Sequence, residues 1–437
     1  MKKEIEKKVY DFFAESSDFN GIPLRQISGD LEIEYKNSID YIKELVQDDK
    51  VTIQSSSNPH IIYSRLYPID IQLKILEDAK NWTVETKKYG EVSLSFENTD
   101  YPICLYPSQN SLKNDRNLDE FGEAIYSKAL ALAEPQLTPR FFEIEVLERY
   151  ANDPRFDFNF EDYSGRISAK YNDNEKPMVR DEDDVFLKTF GLGFDEKDNR
   201  LAVVYLRYLS DLTPEHQVYW KNKETFGDCK VLEEYHENTI KGNWSFSYSI
   251  FSAFIGEMTC LNNIAQTIFS KPLFRKNYDE DKRPKEFTFF FTPTLKNYND
   301  FVLLLDKMIS DNINKDFFKD KVDFYDYSEL HNGMVERKPK GTLRIFEEWL
   351  GGIFRAEQNG ELKKLFKHLK KIRRERQNPA HRISENEYDK KYIELQKKLI
   401  NEAYHSIKGL RHIFYQHPKA QDFEIPDWIE NGIVKTF

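Results

Sequence analysis

From Leu343 to Phe414 the apolar residues of this chain recur every three or four positions, in three runs separated by helix breakers. Leu343, Phe346, Leu350, Ile353 and Phe354 make the first run, and Gly360 interrupts it. Leu362, Leu365, Phe366, Leu369 and Ile372 make the second, which Pro379 stops. Tyr388, Tyr392, Leu395, Leu399, Ala403, Ile407, Leu410 and Phe414 make a third, long run closed by Pro418. A period near 3.6 places each set along one side of a helix, and a helix with one apolar stripe must bury that stripe against another element. With Phe301 to Ile309 as a fourth member, the spacing predicts an all-α bundle over residues 301–437.

Charge marks the same region. The whole chain carries a formal net charge of -11, yet residues 361–419 hold 16 Lys and Arg against 7 Asp and Glu. An acidic body therefore carries one basic segment, and clustered cations are what affinity for a phosphate backbone requires. No run approaches the 18 apolar residues that a membrane span needs, and the start, MKKEIEKKVYDFF, is amphipathic and charged where a secretory signal would be apolar. Cys104, Cys229 and Cys260 lie far apart with no CxxC pair, which excludes a zinc-finger framework and fits a reducing cytoplasm.

Upstream the pattern changes. At roughly 100 to 200 residues per domain, 437 residues allow two to four domains. Residues 1–67 read as three helices on Ile5, Val9 and Phe12, then Leu24, Ile27 and Leu31, then Tyr35, Ile39, Ile42 and Val46. A two-stranded hairpin follows, Val51-Thr52-Ile53 pairing across a Ser55–Pro59 turn with Ile61-Ile62-Tyr63. This order resembles a winged helix-turn-helix unit, in which the third helix enters DNA. Lys36, Asn37, Asp40, Lys43 and Glu44 face outward on that helix, and nine basic against twelve acidic side chains over 1–67 favour protein contact over DNA. Residues 68–300 alternate short strand-like runs with helices, including an Ala/Leu-rich helix from Leu118 to Glu134, and form an α+β middle region of unassigned role. There, Gly191-Leu192-Gly193 lacks the third glycine of a dinucleotide fingerprint. Asp181–Asp184 reads as a solvated loop in preference to a metal site, and His216 as a packed, hydrogen-bonded histidine. Arg200–Leu209 and Glu286–Thr292 are strand or buried-helix candidates.

The segment from Lys371 to Asp389, KIRRERQNPAHRISENEYD, gathers arginines and a histidine at a break between two bundle helices. Arg376 precedes His381 with four residues between them, and Arg374 precedes it with six; Arg411 and His417 repeat a similar spacing. Helical context, local charge and the helix break single out His381. The segment and the bundle around it resemble the HEPN superfamily, whose helical bundles carry an Arg four to six residues before a His. The resemblance covers about the last 100 to 130 residues. It implies a metal-independent endoribonuclease acting as a dimer, with a toxin-like or phage-defence role and no cofactor or metal. The chemistry suits the residues: a 2′-hydroxyl attacks the neighbouring phosphate once a base takes its proton and a cation stabilises the added negative charge. Histidine titrates near neutrality, and arginine offers a permanent planar fork. The resemblance thus makes His381 the acid/base and Arg376 the phosphate clamp, with a hydrogen bond from Gln377 or Asn378. Arg373, Arg374 and Arg382 position the RNA. Two departures stand out: Gln377 follows the motif arginine, where Asn, Asp or His is usual, and Pro379 lies within the interval.

The fold class expected is multidomain α+β, with a winged-helix-like unit, an α+β middle and an all-α HEPN-like bundle. The partners expected are RNA, a second copy of the chain, and a protein or DNA at the N-terminal unit. The alternative is a DNA-binding or sensor protein whose bundle is an inactive oligomerisation module.

Overall fold

The computed structural model describes residues 1–63, 65–90, 92–243, 247–278, 283–329, 334–354, 359–377 and 385–436. It is a mixed α+β structure that resolves into two compact units. The first holds residues 1–146, 153–157 and 166–231, and the second 147–152, 158–165 and 232–437. Residues 1–67 thus fall wholly in the first, 301–437 wholly in the second, and 68–300 are shared.

The first unit begins with α1 (Lys2–Glu15), β1 (Ile22–Pro23), α2 (Leu24–Asp30), α3 (Tyr35–Gln47) and β2 (Val51–Ser55). The apolar spacing acts as expected, since Ile5, Val9, Ile27, Ile39 and Ile42 are all fully buried in one core. The hairpin is different. β2 pairs with β5 (Ile103–Pro107), Val51 opposite Pro107 and Ser55 opposite Ile103, and β1 pairs along the other edge of β5. Between β2 and β5 the chain inserts α4 (Ile69–Ala79) and an exposed hairpin of β3 (Val84–Tyr89) and β4 (Val92–Glu97). Residues 61–63 make no strand: the Ile62 and Tyr63 carbonyls accept hydrogen bonds from the Gln136 and Leu137 amides at 2.8 and 2.9 Å. Ile61 and Ile62 are buried all the same, so their apolar character reported burial correctly and pairing wrongly.

The helix expected over 118–134 is split. Gly122, at φ +49°, separates a single turn at Asp119–Phe121 from a helix at Ile125–Ala131. Beyond it a sheet, antiparallel from β11 to β9, runs in the order β11 (Glu224–Thr225), β6 (Pro139–Glu143), β10 (Arg200–Tyr205), β9 (Phe186–Phe194), β8 (Ser164–Ala169), β7 (Phe156–Phe160), with β12 (Lys230–Val231) also on β9. Gly191-Leu192-Gly193 lies inside β9, and a Cβ on Gly193 would stand 2.6 Å from Val203 and 2.7 Å from the Lys230 carbonyl. Close strand packing explains that glycine. His216 is fully buried, its Nε2 3.2 Å from the Asp183 carbonyl. Of the two ambiguous stretches, Arg200–Tyr205 is strand β10, running into a short helix at Leu206–Leu209, and Glu286–Thr292 is neither strand nor helix.

The second unit is built on α5 (Ile250–Phe269), α6 (Leu295–Ile309), α7 (Thr342–Ile353), α8 (Asn359–Gln377) and α9 (Lys391–Tyr415), but residues 301–437 are not all-α as expected, since Tyr325–Glu329 pairs antiparallel with Val335–Pro339. α5 packs along α9, α8 along α9, and α6 along α8. Gly409 of α9 allows a close approach to α8, since a Cβ there would stand 3.0 Å from Leu365. Phe269, Phe317, Phe346, Trp349, Phe366 and Phe414 interlock edge to face at one end. Such contacts add about 0.5–1.5 kcal/mol each beyond the area they bury. Among the described residues, no helix is long and apolar enough to cross a membrane.

Candidate nucleic-acid interface

α8 has the sequence NGELKKLFKHLKKIRRERQ. Leu362, Phe366, Leu369 and Ile372 recur every three or four residues and are 0–6% exposed, so the stripe they form fixes the helix against α6 and α9. Nearly everything else on α8 is polar, and its last turn carries Arg374 and Arg376, cations placed where the helix dipole favours them.

Two arginines of α8, one aspartate of α6 and one from the turn after it meet there. Asp306 of α6 is fully buried, and its Oδ2 accepts hydrogen bonds from Nη1 of Arg376 at 2.5 Å and Nη1 of Arg373 at 2.8 Å. Its Oδ1 accepts from the Ser310 hydroxyl at 2.5 Å. Asp311 accepts from the same two Nη1 atoms, at 2.9 Å from Arg376 and 3.0 Å from Arg373. Two arginines and two aspartates therefore neutralise one another. Partial burial alone would raise the Asp311 carboxyl, but hydrogen bonds from Arg376 and Arg373 outweigh it and hold that group below the usual carboxylate range. Arg376 is raised in turn, chiefly by its hydrogen bond to Asp306.

Each arginine spends only Nη1 on this network, and an arginine has five N–H donors. The Nε and Nη2 edges of Arg373 and Arg376 have no partner among the described residues, and the two side chains are 43% and 30% exposed. The carboxylates thus hold each guanidinium by one corner, and its remaining donors include the pair a phosphate could take bidentately.

The structure brings together Arg373, Arg374, Arg376 and Gln377 on the last turn of α8, with Arg374 and Gln377 exposed. Asn378, His381 and Arg382 lie outside the described residues. The second spacing match separates cleanly: Arg411 is 1% exposed and paired with the equally buried Glu257 of α5, while the His417 Nδ1 accepts a hydrogen bond from the Lys419 amide. Arg411 is a core cation with no access to a substrate. Among the described residues no group of three or more His, Cys, Asp or Glu is placed to hold a metal, and Asp181–Asp183 forms a single 3-10 turn.

Sequence reasoning missed Asp306 and Asp311. A signal for Asp306 existed, because it interrupts the apolar face Phe301, Val302, Leu305, Ile309 of α6, and a lone acid in such a stripe needs a buried cation. No protein-family model matches this chain, and neither a curated protein nor a solved structure matches it.

Proposed function

We propose that the second unit is a HEPN-type, metal-independent endoribonuclease in which Arg376 grips the scissile phosphate and His381 moves the proton. The observation that supports the reading most is the anchored fork: Asp306 and Asp311 orient Arg376 through Nη1 alone, in a side chain that is 30% exposed. A cation serving only its helix end would need no buried aspartate behind it. On this reading the 2′-hydroxyl gives its proton to His381 and attacks the adjacent phosphorus, and the 5′-oxygen leaves with a proton returned by an acid. Arg376, assisted by Arg373, holds the negative charge that grows on the non-bridging oxygens, and Gln377 or Asn378 supplies a further hydrogen bond. Arg382 belongs to the surface that positions RNA. The resemblance implies paired sites from two copies of the chain and a setting in toxin or phage-defence RNA cleavage.

The first unit supports a winged-helix reading by its element order, α1-β1-α2-α3-β2, and by the β1-β5-β2 sheet, with the wing enlarged by residues 56–102. On α3, Lys43 pairs with Glu77 at 2.6 Å and Asp40 with Lys80 at 2.7 Å, and an outward face that mixes acids with bases suits a regulatory or protein-binding role better than a DNA groove.

The test is cleavage of total RNA in EDTA. Wild type should yield 2′,3′-cyclic or 3′-phosphate ends, and His381→Ala should slow cleavage by about 10²- to 10⁴-fold. Products with 5′-phosphate and 3′-hydroxyl ends, or complete loss of activity in chelator, would refute the mechanism.

A further inference from the structure

A groove of about 630 Å³ opens between the start of α7 and the exposed side of α8, lined by Ser310, Gly341, Thr342, Arg344, Lys363, Lys367, Lys370, Arg373 and Arg374 among others. On α8, Lys363, Lys367, Lys370 and Arg374 stand four, three and four residues apart, which puts them on one face over roughly 16 Å at 1.5 Å per residue. Six cations face one carboxylate in this lining, that of Glu347.

The cations divide into two groups. Lys370 is paired with Glu347, Arg344 with Asp326 and Glu348, and Arg373 with Asp306 and Asp311. Lys363, Lys367 and Arg374 have no carboxylate partner among the described residues. The chain has 75 acidic side chains against 64 basic ones, so anions for them are not in short supply. Three like charges on one helical face repel one another, and leaving them unneutralised costs stability unless an anionic ligand offsets it. The lining also holds no aromatic side chain among the described residues, so nothing there can stack on a base.

We infer that this groove is a sequence-independent binding track for the phosphodiester backbone of RNA, leading along α8 to the arginines at its end. Lys363, Lys367 and Arg374 are its phosphate contacts; Lys370 and Arg344 are held by acids and shape its walls. The inference rests on the ribonuclease reading for its direction and its ligand, but it concerns binding at residues that take no part in the chemistry. It gives the enzyme affinity without sequence preference, so any selectivity in cleavage has to arise nearer the scissile bond.

The experiment uses full-length protein and a fluorescein-labelled, fully 2′-O-methylated RNA of 20 nucleotides, which cannot be cleaved by 2′-hydroxyl attack. Binding is followed by anisotropy from 0.05 to 1 M salt. The Lys363→Gln/Lys367→Gln/Arg374→Gln variant should lower the slope of log affinity against log salt by about two, at about 0.7 per single-strand phosphate. Taken from 1 M salt, that is about a 100-fold loss of affinity at 0.1 M. A control variant, Lys364→Gln/Lys398→Gln/Lys419→Gln, makes the same charge change outside the groove and should lose little. Uridine- and adenosine-only RNAs should bind alike. An unchanged slope in a groove variant that melts like wild type would overturn the proposal, as would an equal loss in the control. Equal competition by a polyglutamate of matched charge would show a general anion surface and overturn it too. Because the probe is uncleavable, a failure of catalysis leaves these outcomes intact, and a failure of binding leaves the cleavage test intact.

Discussion

Arg411 offers the sharpest test of the packing argument. Arg411 of α9 and Glu257 of α5 are both 1% exposed, with Arg411 Nε on one Glu257 oxygen and Nη2 3.4 Å from the other. Arg411 Nη1 lacks a hydrogen bond and stands 3.5 Å from the Glu430 carboxylate. Arg411→Ala therefore strands the Glu257 carboxylate in the contact between the two helices. Breaking a buried pair by removing one partner costs about 3–5 kcal/mol. For a unit of this size that is a fall of roughly 6–20 °C in melting temperature, at about 2–4 °C per kcal/mol. Replacing both groups with apolar residues of similar volume, Arg411→Met with Glu257→Leu, removes both charges and should recover most of the loss. Urea denaturation of wild type, the single variant and the double variant measures it. If Arg411→Ala melts like wild type, the pair is not buried as described. If the double variant loses as much as the single, the cost was packing volume and not a stranded charge. Cleavage by Arg411→Ala, assayed well below its melting temperature, should match wild type, which separates this arginine from Arg376.

Two further outcomes concern the arginine–aspartate tetrad. Arg376→Lys keeps a cation for Asp306 but loses the planar fork, so stability should stay within about 1 kcal/mol while cleavage falls by at least tenfold; equal activity would show that the fork is not used. Asp311 is depressed in the folded state, so its contribution is present above its ordinary value of 3.8 and is lost as pH falls through the lower folded value. The stability difference between wild type and Asp311→Asn should hold from pH 8 to 5 and shrink below about pH 4; a difference constant to pH 2.5 would refute the pairing.

What could be read in the sequence was what depends on neighbours along the chain. The stripes of α6, α7, α8 and α9 were legible because each helix buries one side, and a one-sided burial leaves a period. α5 was missed because Ile250, Phe251, Phe254, Ile255, Met258, Leu261 and Ile264 bury nearly all of its circumference, and a helix covered all round has no stripe to reveal it. The run Ile103-Cys104-Leu105-Tyr106 of β5 has local strand character, yet its pairing with Val51–Ser55 crosses some fifty residues that contain a helix and a hairpin. Strand character is local, but partnership is not.

Charge shows the same division. The surplus of cations in residues 361–419 is visible in the sequence, but their pairing is not. Lys371 pairs with Glu402, Lys391 with Glu387 and Asp389, Arg411 with Glu257, and Arg373 and Arg376 with two aspartates far upstream. A neutralised cation contributes little field at a Debye length of about 8 Å in physiological salt, whereas an unpaired one facing a groove keeps its full attraction for an anion. The meaningful quantity is thus the number of cations left unpaired in one place. By that measure Lys363, Lys367 and Arg374, which have no carboxylate partner among the described residues, carry the proposed phosphate track, while Arg373 and Arg376 are already held by acids. Arg411, which precedes His417 at a similar motif spacing, cannot join that track, because burial has committed its charge to Glu257.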